Sequence, residues 1–157
     1  MTPFKVRRAR AEDARAIAAL FAAVAEERDG IATEPPVDVD ARTAEFAASI
    51  GGHLVAVADR AIVGTLHLEA RRGVGEIGML VEREWRGRGV GSALLNAAIQ
   101  RSRRDGLHKL SLEVFPHNAA GLALYRKCGF VEEGRRVKHY RRANGELWDS
   151  VVMGLLL

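Results

Sequence analysis

Three glycines stand where a helix is about to begin. In VEREWRGRGVGSALLNAAI, residues 81–99, Gly87, Gly89 and Gly91 alternate with arginines and a valine just ahead of a good helical run. Glycine weakens a helix, so its use here points to a backbone that must turn sharply or approach a ligand closely. A helix N-terminus presents unpaired N–H groups and a partial positive charge. Strand, glycine turn and helix start therefore make an anion cradle, and Arg83, Arg86 and Arg88 add positive charge around it. The expected guest is a phosphate or pyrophosphate.

Two common phosphate sites do not fit. No Gly-x-x-x-x-Gly-Lys-Ser/Thr run occurs, so a nucleotide P-loop is excluded. Gly73, Gly75 and Gly78 do spell Gly-x-Gly-x-x-Gly. That pattern precedes a strand instead of following one and opens no helix, so it fails as a dinucleotide fingerprint.

What remains is Arg86-x-x-Gly89-x-Gly91 between a strand and a helix, followed by EVFPHNAAGLALYRKCGF at 113–130. Together these segments resemble the two main motifs of the GCN5-related N-acetyltransferase (GNAT) superfamily, and the order and length of the elements match from Val6 to Leu155. The resemblance implies one acetyltransferase domain over residues 1–157 and acetyl-CoA as co-substrate, with no metal. It places Met79, Leu80 and Val81 at a strand end that pairs with the pantetheine amides. It gives Arg86, Gly87, Arg88, Gly89, Val90, Gly91 and Ser92 to the pyrophosphate. Asn118 would hydrogen-bond the pantetheine arm, and Tyr125 would stand beside the coenzyme sulfur.

Acetyl transfer to an amine needs a deprotonated nucleophile, a place for the developing oxyanion and a proton for the departing thiolate. A phenol with a pKa of about 10 can protonate a thiolate whose conjugate acid has a pKa of about 8.5, which suits Tyr125; a plain packing role is the alternative. The N–H of Val81 can meet the oxyanion. For the base, two carboxylates lie on apolar strands. Glu113 precedes Tyr125 by the spacing of the ribosomal-protein alanine acetyltransferases, and Glu76 lies near where histone-type members keep a glutamate. Alternation puts Glu76, Gly78 and Leu80 on one face and Ile77, Met79 and Val81 on the other. The sequence leaves open which face holds the acceptor, and a water relay without a dedicated base also stays open.

The acceptor amine is a cation in water, so an acidic lip would attract it. EERDGIATEPPVDVD, residues 26–40, carries six carboxylates against one arginine. Glu27 and Glu34 are its candidate substrate-binding residues; a merely solvated loop is the alternative. The C-terminal half most resembles bacterial amino-acid and small-amine acetyltransferases, then enzymes acting on ribosomal-protein N-termini. A small amine is the first expectation and a protein N-terminus the second. A non-catalytic acyl-CoA sensor would have no need of Tyr125.

Hydrophobic periodicity supplies the elements that position these residues. A strand at 4–9 precedes a helix whose Ile17, Leu20, Phe21 and Val24 follow the i, i+3, i+4, i+7 rule. Residues 28–38, with Pro35–Pro36, form a loop, and a second helix covers 40–50. Residues 53–70 read as a hairpin about Asp59–Arg60, then come a strand at 75–82, a helix at 90–104, a strand at 109–115 and a short helix closed by Gly129. A last hairpin pairs 135–142 with 147–157 across a two-residue turn at Asn144–Gly145. The order β-α-α-β-β-β-α-β-α-β-β predicts an α/β fold with a mixed, mostly antiparallel central sheet flanked by helices.

With 157 residues, 48% hydrophobic and 28% charged, the chain suits a single globular domain. A lone cysteine, Cys128, permits no internal disulfide and is expected to be structural; the N-terminus lacks an apolar core, so a cytoplasmic location is expected. The net charge of +4 favours anionic partners. Its basic runs interleave with only His139 and Tyr140, which argues against nucleic acid, and no apolar run is long enough for a membrane. A homodimer is left open.

Overall fold

The computed structural model describes residues 3–157. Seven strands and four helices follow one another as β1 (Lys5–Arg8), α1 (Ala14–Glu26), α2 (Val39–Ala48), β2 (His53–Ala58), β3 (Ala61–Arg71), β4 (Val74–Val81), α3 (Val90–Arg104), β5 (Lys109–Val114), α4 (Ala119–Lys127), β6 (Val131–Arg141) and β7 (Leu147–Leu156). They form one sheet in the order β1-β2-β3-β4-β5-β7-β6. Every neighbouring pair is antiparallel except β4 and β5. The element order and mixed sheet are those read from the sequence.

Helices cover both faces. Gly64 of β3 lies so close to α3 that a Cβ there would meet Val90 and Leu94, so the even-numbered side of β3 faces α3. Leu66, Leu94, Leu95, Ala98, Leu110 and Met153 are fully buried on that side, and Tyr125 and Phe130 of the α4 region join them. On the opposite face α1 presents the predicted stripe, with Ile17 and Ala18 fully buried. Arg7 donates twice to Asp13 at 2.7 and 3.1 Å, and Asp13 also accepts from the Arg10 N–H, which fastens the start of α1 to β1.

One feature of the sheet creates the site. The parallel β4 and β5 pair only from Val74–Lys109 to Glu76–Ser111. Beyond that point β4 runs on to Val81 and β5 to Val114 without pairing, so the two strands part and a cleft opens between them. The last hairpin differs in detail from the expectation. β6 begins at Val131, four residues ahead of the expected 135, and the Arg142 N–H bonds Glu146, leaving a three-residue loop with Gly145 at φ +91. A third residue in the left-handed region matches the sheet twist as well as a two-residue turn would.

Candidate active site

The backbone of β4 is exposed in alternation on the cleft side. The Glu82 N–H bonds Val63, and the antiparallel register then gives Leu80 and Gly78 to β3. The N–H and C=O groups of Val81, Met79 and Ile77 must point the other way, toward the strand that has moved off. Met79 and Val81 thus offer strand-like hydrogen bonds to a ligand arm. Leu80 contributes a side chain to the cleft but no free backbone group.

At the end of β4 a turn leads into α3. Gly87 and Gly89 have φ of +74 and +86, and a Cβ at either would meet nothing within 4 Å. What these positions require is the left-handed backbone, together with an open space in front of it. Gly89 caps α3, so the N–H groups of Val90, Gly91 and Ser92 face that space unpaired. Val90 sends its side chain into the core, 1% exposed, and Arg88 lies over the Trp85 ring at 4.9 Å. A Gly89→Val substitution would force a β-branched residue to positive φ, a strain of about 1–3 kcal/mol. It should lower both thermal stability and affinity for acetyl-CoA; unchanged calorimetric affinity would contradict a close approach here.

Arg86 has a different task in this structure. Its Nε donates to the Val81 carbonyl at 3.0 Å, and both terminal nitrogens donate to Glu27 at 2.7 Å. This pairing holds the Glu27 carboxyl below its usual range. Glu27 thereby ties the end of α1 to the glycine turn ahead of α3. Glu34 is similarly engaged, accepting from the Ala143 N–H at 2.7 Å beside Arg142. Asp38 caps α2 and Asp40 pairs with Arg15, so the acidic segment largely serves to fasten itself. Its strongest clasp is Arg142, nearly buried over the Trp148 ring at 4.2 Å and donating to the carbonyls of Arg28, Ile31 and Ala32. His117 adds a bond to the Asp29 carbonyl at 2.7 Å. The segment from 28 to 34 is held as a strap across the cleft.

Beneath the strap lie two cavities. One, of about 590 Å³, is lined by Gly87, Gly89, Gly91, Ser92, Met79 and Val81 with Asn118 and Leu124. The other, of about 330 Å³, lies toward α1 and α2 and is lined by Phe21, Phe46, His53, His67, Glu113 and Tyr140, among others. Six residues border both: Gly30, Ile31, Met79, Leu80, Asn118 and Tyr125. Asn118 caps α4 through its Oδ1, which accepts from Gly121 at 2.9 Å. Tyr125 is 9% exposed, and burial pushes its phenol up to about 12. At neutral pH it is a proton donor.

The two candidate carboxylates share a face. Glu76 pairs with Ser111, so Glu113, two residues further on, stands level with Gly78 on the same side. Of the two, Glu113 alone lines either of these cavities; Glu76 is exposed at the closed end, across from Glu69. Glu113 Oε1 accepts from Ser150 Oγ at 2.6 Å and from the Tyr140 hydroxyl at 3.2 Å, with Arg136 Nε at 3.3 Å.

Sequence reasoning missed the far wall of the smaller cavity. His53 and His67 face each other across β2 and β3 with ring centroids 4.5 Å apart, and Phe46 packs edge-on against His53. Their places on alternating strands were the only available signal. Burial pulls His53 down to about 4 and lowers His67 as well, so both are neutral near pH 7. The sign follows: between about 6.5 and about 4 the unfolded chain takes up protons that folded His53 refuses, and stability falls as the pH drops through that window. A His53→Phe variant should flatten that part of a melting-temperature profile; an unaltered slope would refute the assignment. Cys128 is half-buried, and burial raises its thiol. Among the described residues, no group of three or more His, Cys, Asp or Glu is placed to hold a metal ion, and no helix is long and apolar enough to cross a membrane.

Comparisons with known proteins converge on one family. The family model "Acetyltransferase (GNAT) family" matches residues 12–130. The L-amino acid N-acetyltransferase AaaT of Escherichia coli (strain K12) is 35% identical over 108 residues, which are 64% of this chain and 65% of that relative, just under two thirds of its length. An L-methionine sulfoximine/L-methionine sulfone acetyltransferase of Pseudomonas paraeruginosa (strain DSM 24068 / PA7) is 32% identical over 140 residues, 83% of this chain and 81% of the relative. Among solved structures, the ribosomal-protein-alanine N-acetyltransferase of Brucella melitensis superposes with a TM-score of 0.88 at 27% identity, covering 98% of this chain and 99% of that one.

Proposed function

The chain belongs to the acetyltransferase (GNAT) family, and on that premise we propose that it moves the acetyl group of acetyl-CoA to the primary amine of a small molecule, a free amino acid being the leading class. The observation that carries this reading is the meeting of two cavities at a buried, protonated tyrosine. Acetyl-CoA supplies the activated thioester. The residues present fit it, with a glycine cradle for its pyrophosphate, free β4 amides for its arm and Tyr125 where its sulfur would end. The site residues are read as parts of one acetyltransferase domain within the described residues 3–157.

The roles follow from position. N–H groups from Gly87 to Ser92 hold the anion, and those of Met79 and Val81 align the arm and receive negative charge at the carbonyl. Tyr125 holds a proton at the junction for the leaving thiolate. Glu113, in the acceptor-side cavity, takes the proton of the attacking amine. Phe21, Phe46, His53 and His67 line an uncharged lobe suited to the body of the acceptor.

The family relatives named for amino-acid substrates support a small acceptor. The strap clasped by Arg142 also restricts the cavity to about 330 Å³, the size of a small molecule. The Brucella structure favours a second reading, a protein N-terminus. Comparing kcat/KM for free amino acids with peptides of the same first residue tests the choice. Free amino acids should win; a preference for the peptides would transfer the function to protein N-termini.

A further inference from the structure

We propose that Tyr140 and Ser150 are positioning residues that fix the catalytic carboxylate, saturating one oxygen of Glu113 and leaving the other as the only lone-pair donor facing the acceptor amine. The inference rests on Glu113 being the base of the proposed reaction and concerns how the fold prepares it.

Two hydroxyl donors and one ion-paired guanidinium converge on a single atom. Ser150 Oγ, the Tyr140 hydroxyl and Arg136 Nε all approach Oε1, at 2.6, 3.2 and 3.3 Å. Among the described residues none donates to Oε2. A carboxylate oxygen has two lone pairs in its plane, so Oε1 has no capacity left for a substrate proton. Proton transfer from the amine is confined to Oε2, and the orientation of that atom is set by the groups holding its twin. Arg136 is half-exposed and contributes least, because solvent screens such a pair. Ser150 is 1% exposed and Tyr140 is packed edge-on against Phe115, so these two are the rigid members.

The sheet is built to bring them there. Glu113 pairs with Val152 of β7, which puts Ser150 at the diagonal position on the same face. Ser150 in turn pairs with Arg136 of β6, and Trp148 with Tyr140. Between those two pairs β6 carries three residues where β7 carries one, Asp149. The two extra residues preserve period-two alternation, so Arg136 and Tyr140 still share the face of Glu113 while the strand bends toward it. Lys138 within the bulge lies at φ +50, and its N–H is held by Asp149 Oδ1 at 2.8 Å. An otherwise exposed edge strand thus bends at the one place that aims a phenol at the carboxylate. Other charged or titratable groups on this face include Glu76 and, opposite it, Glu69, Lys109 earlier on β5, and the neutral His67 with its cross-strand partner His53.

A double-mutant cycle separates positioning from packing. Tyr140→Phe and Ser150→Ala should each lower kcat about tenfold, by loss of one hydrogen bond to a charged group, with KM for acetyl-CoA unchanged. In a Glu113→Gln background the same two substitutions should cost nothing further, because the group they orient is no longer a base. Calorimetric binding of acetyl-CoA and the melting temperature establish that each variant is folded; if Ser150→Ala is not, Tyr140→Phe carries the cycle alone. Wild-type kcat in Tyr140→Phe overturns the inference, and so does a tenfold loss that persists in the Glu113→Gln background. Wild-type turnover in Glu113→Gln itself removes the base and the inference together.

Discussion

Tyr125→Phe should bind acetyl-CoA as the wild type does and turn over about a hundredfold more slowly. The substitution deletes one oxygen and keeps the ring that packs on Phe130 at a centroid distance of 5.9 Å, so the fold should tolerate it. The phenol lies where the two cavities meet, which is where the proposed reaction releases its thiolate. Burial raises it to about 12, so it keeps its proton throughout the range in which the enzyme can be assayed. The loss in the Phe variant should therefore be the same at every pH. It should shrink when the acetyl group is offered on a thiol of lower pKa, a leaving group that needs little help. Undiminished turnover in Tyr125→Phe, with chemistry shown to be rate-limiting, would reduce Tyr125 to a packing residue.

Glu113→Gln should be nearly as damaging at neutral pH, with a loss of about a hundredfold, but its pH dependence should differ. An alkylamine has a pKa of about 10 and the α-amine at a peptide N-terminus one of about 8. Near pH 7 each must shed a proton before attack, and the glutamine cannot take it. As the pH rises the free amine forms in solution, and the variant should recover toward the wild type. The recovery should come at lower pH for short peptides than for alkylamines, following their own pKa values. An equal fractional loss at every pH would count against a base. Glu76→Gln is the control: exposed at the paired end of β4 and away from both cavities, it should leave turnover unchanged.

The glycine turn ahead of α3 was legible from the chain alone because its causes are local. Positive φ at Gly87 and Gly89 and the start of α3 are encoded within a few consecutive residues. The order of elements along the chain was also legible, since each apolar run carries its own period. The choice between Glu113 and Glu76 was not. Alternation gave each its parity, but their relation to the cavity depends on where β4 and β5 stop pairing, which is a property of two distant segments. Glu27 and Glu34 show the same limit more sharply. Both looked like an acidic lip, yet their partners Arg86 and Ala143 lie 59 and 109 residues away. The early start of β6 was hidden because VEEG has no apolar pattern; pairing with β7 makes it a strand regardless of propensity. The histidine wall needed the β2–β3 register to bring His53 and His67 together.

The most direct measurement follows two products of one reaction. The protein is incubated with acetyl-CoA and a panel of amines comprising free amino acids, alkylamines and short peptides. Free thiol is titrated while the amines are examined by mass spectrometry. The proposed function predicts thiol release that depends on the amine, matched one for one by a product heavier by one acetyl group, with small free amines the best acceptors. Folded protein that binds acetyl-CoA yet acetylates no amine in the panel, or that releases thiol at the same rate with and without amine, would contradict it.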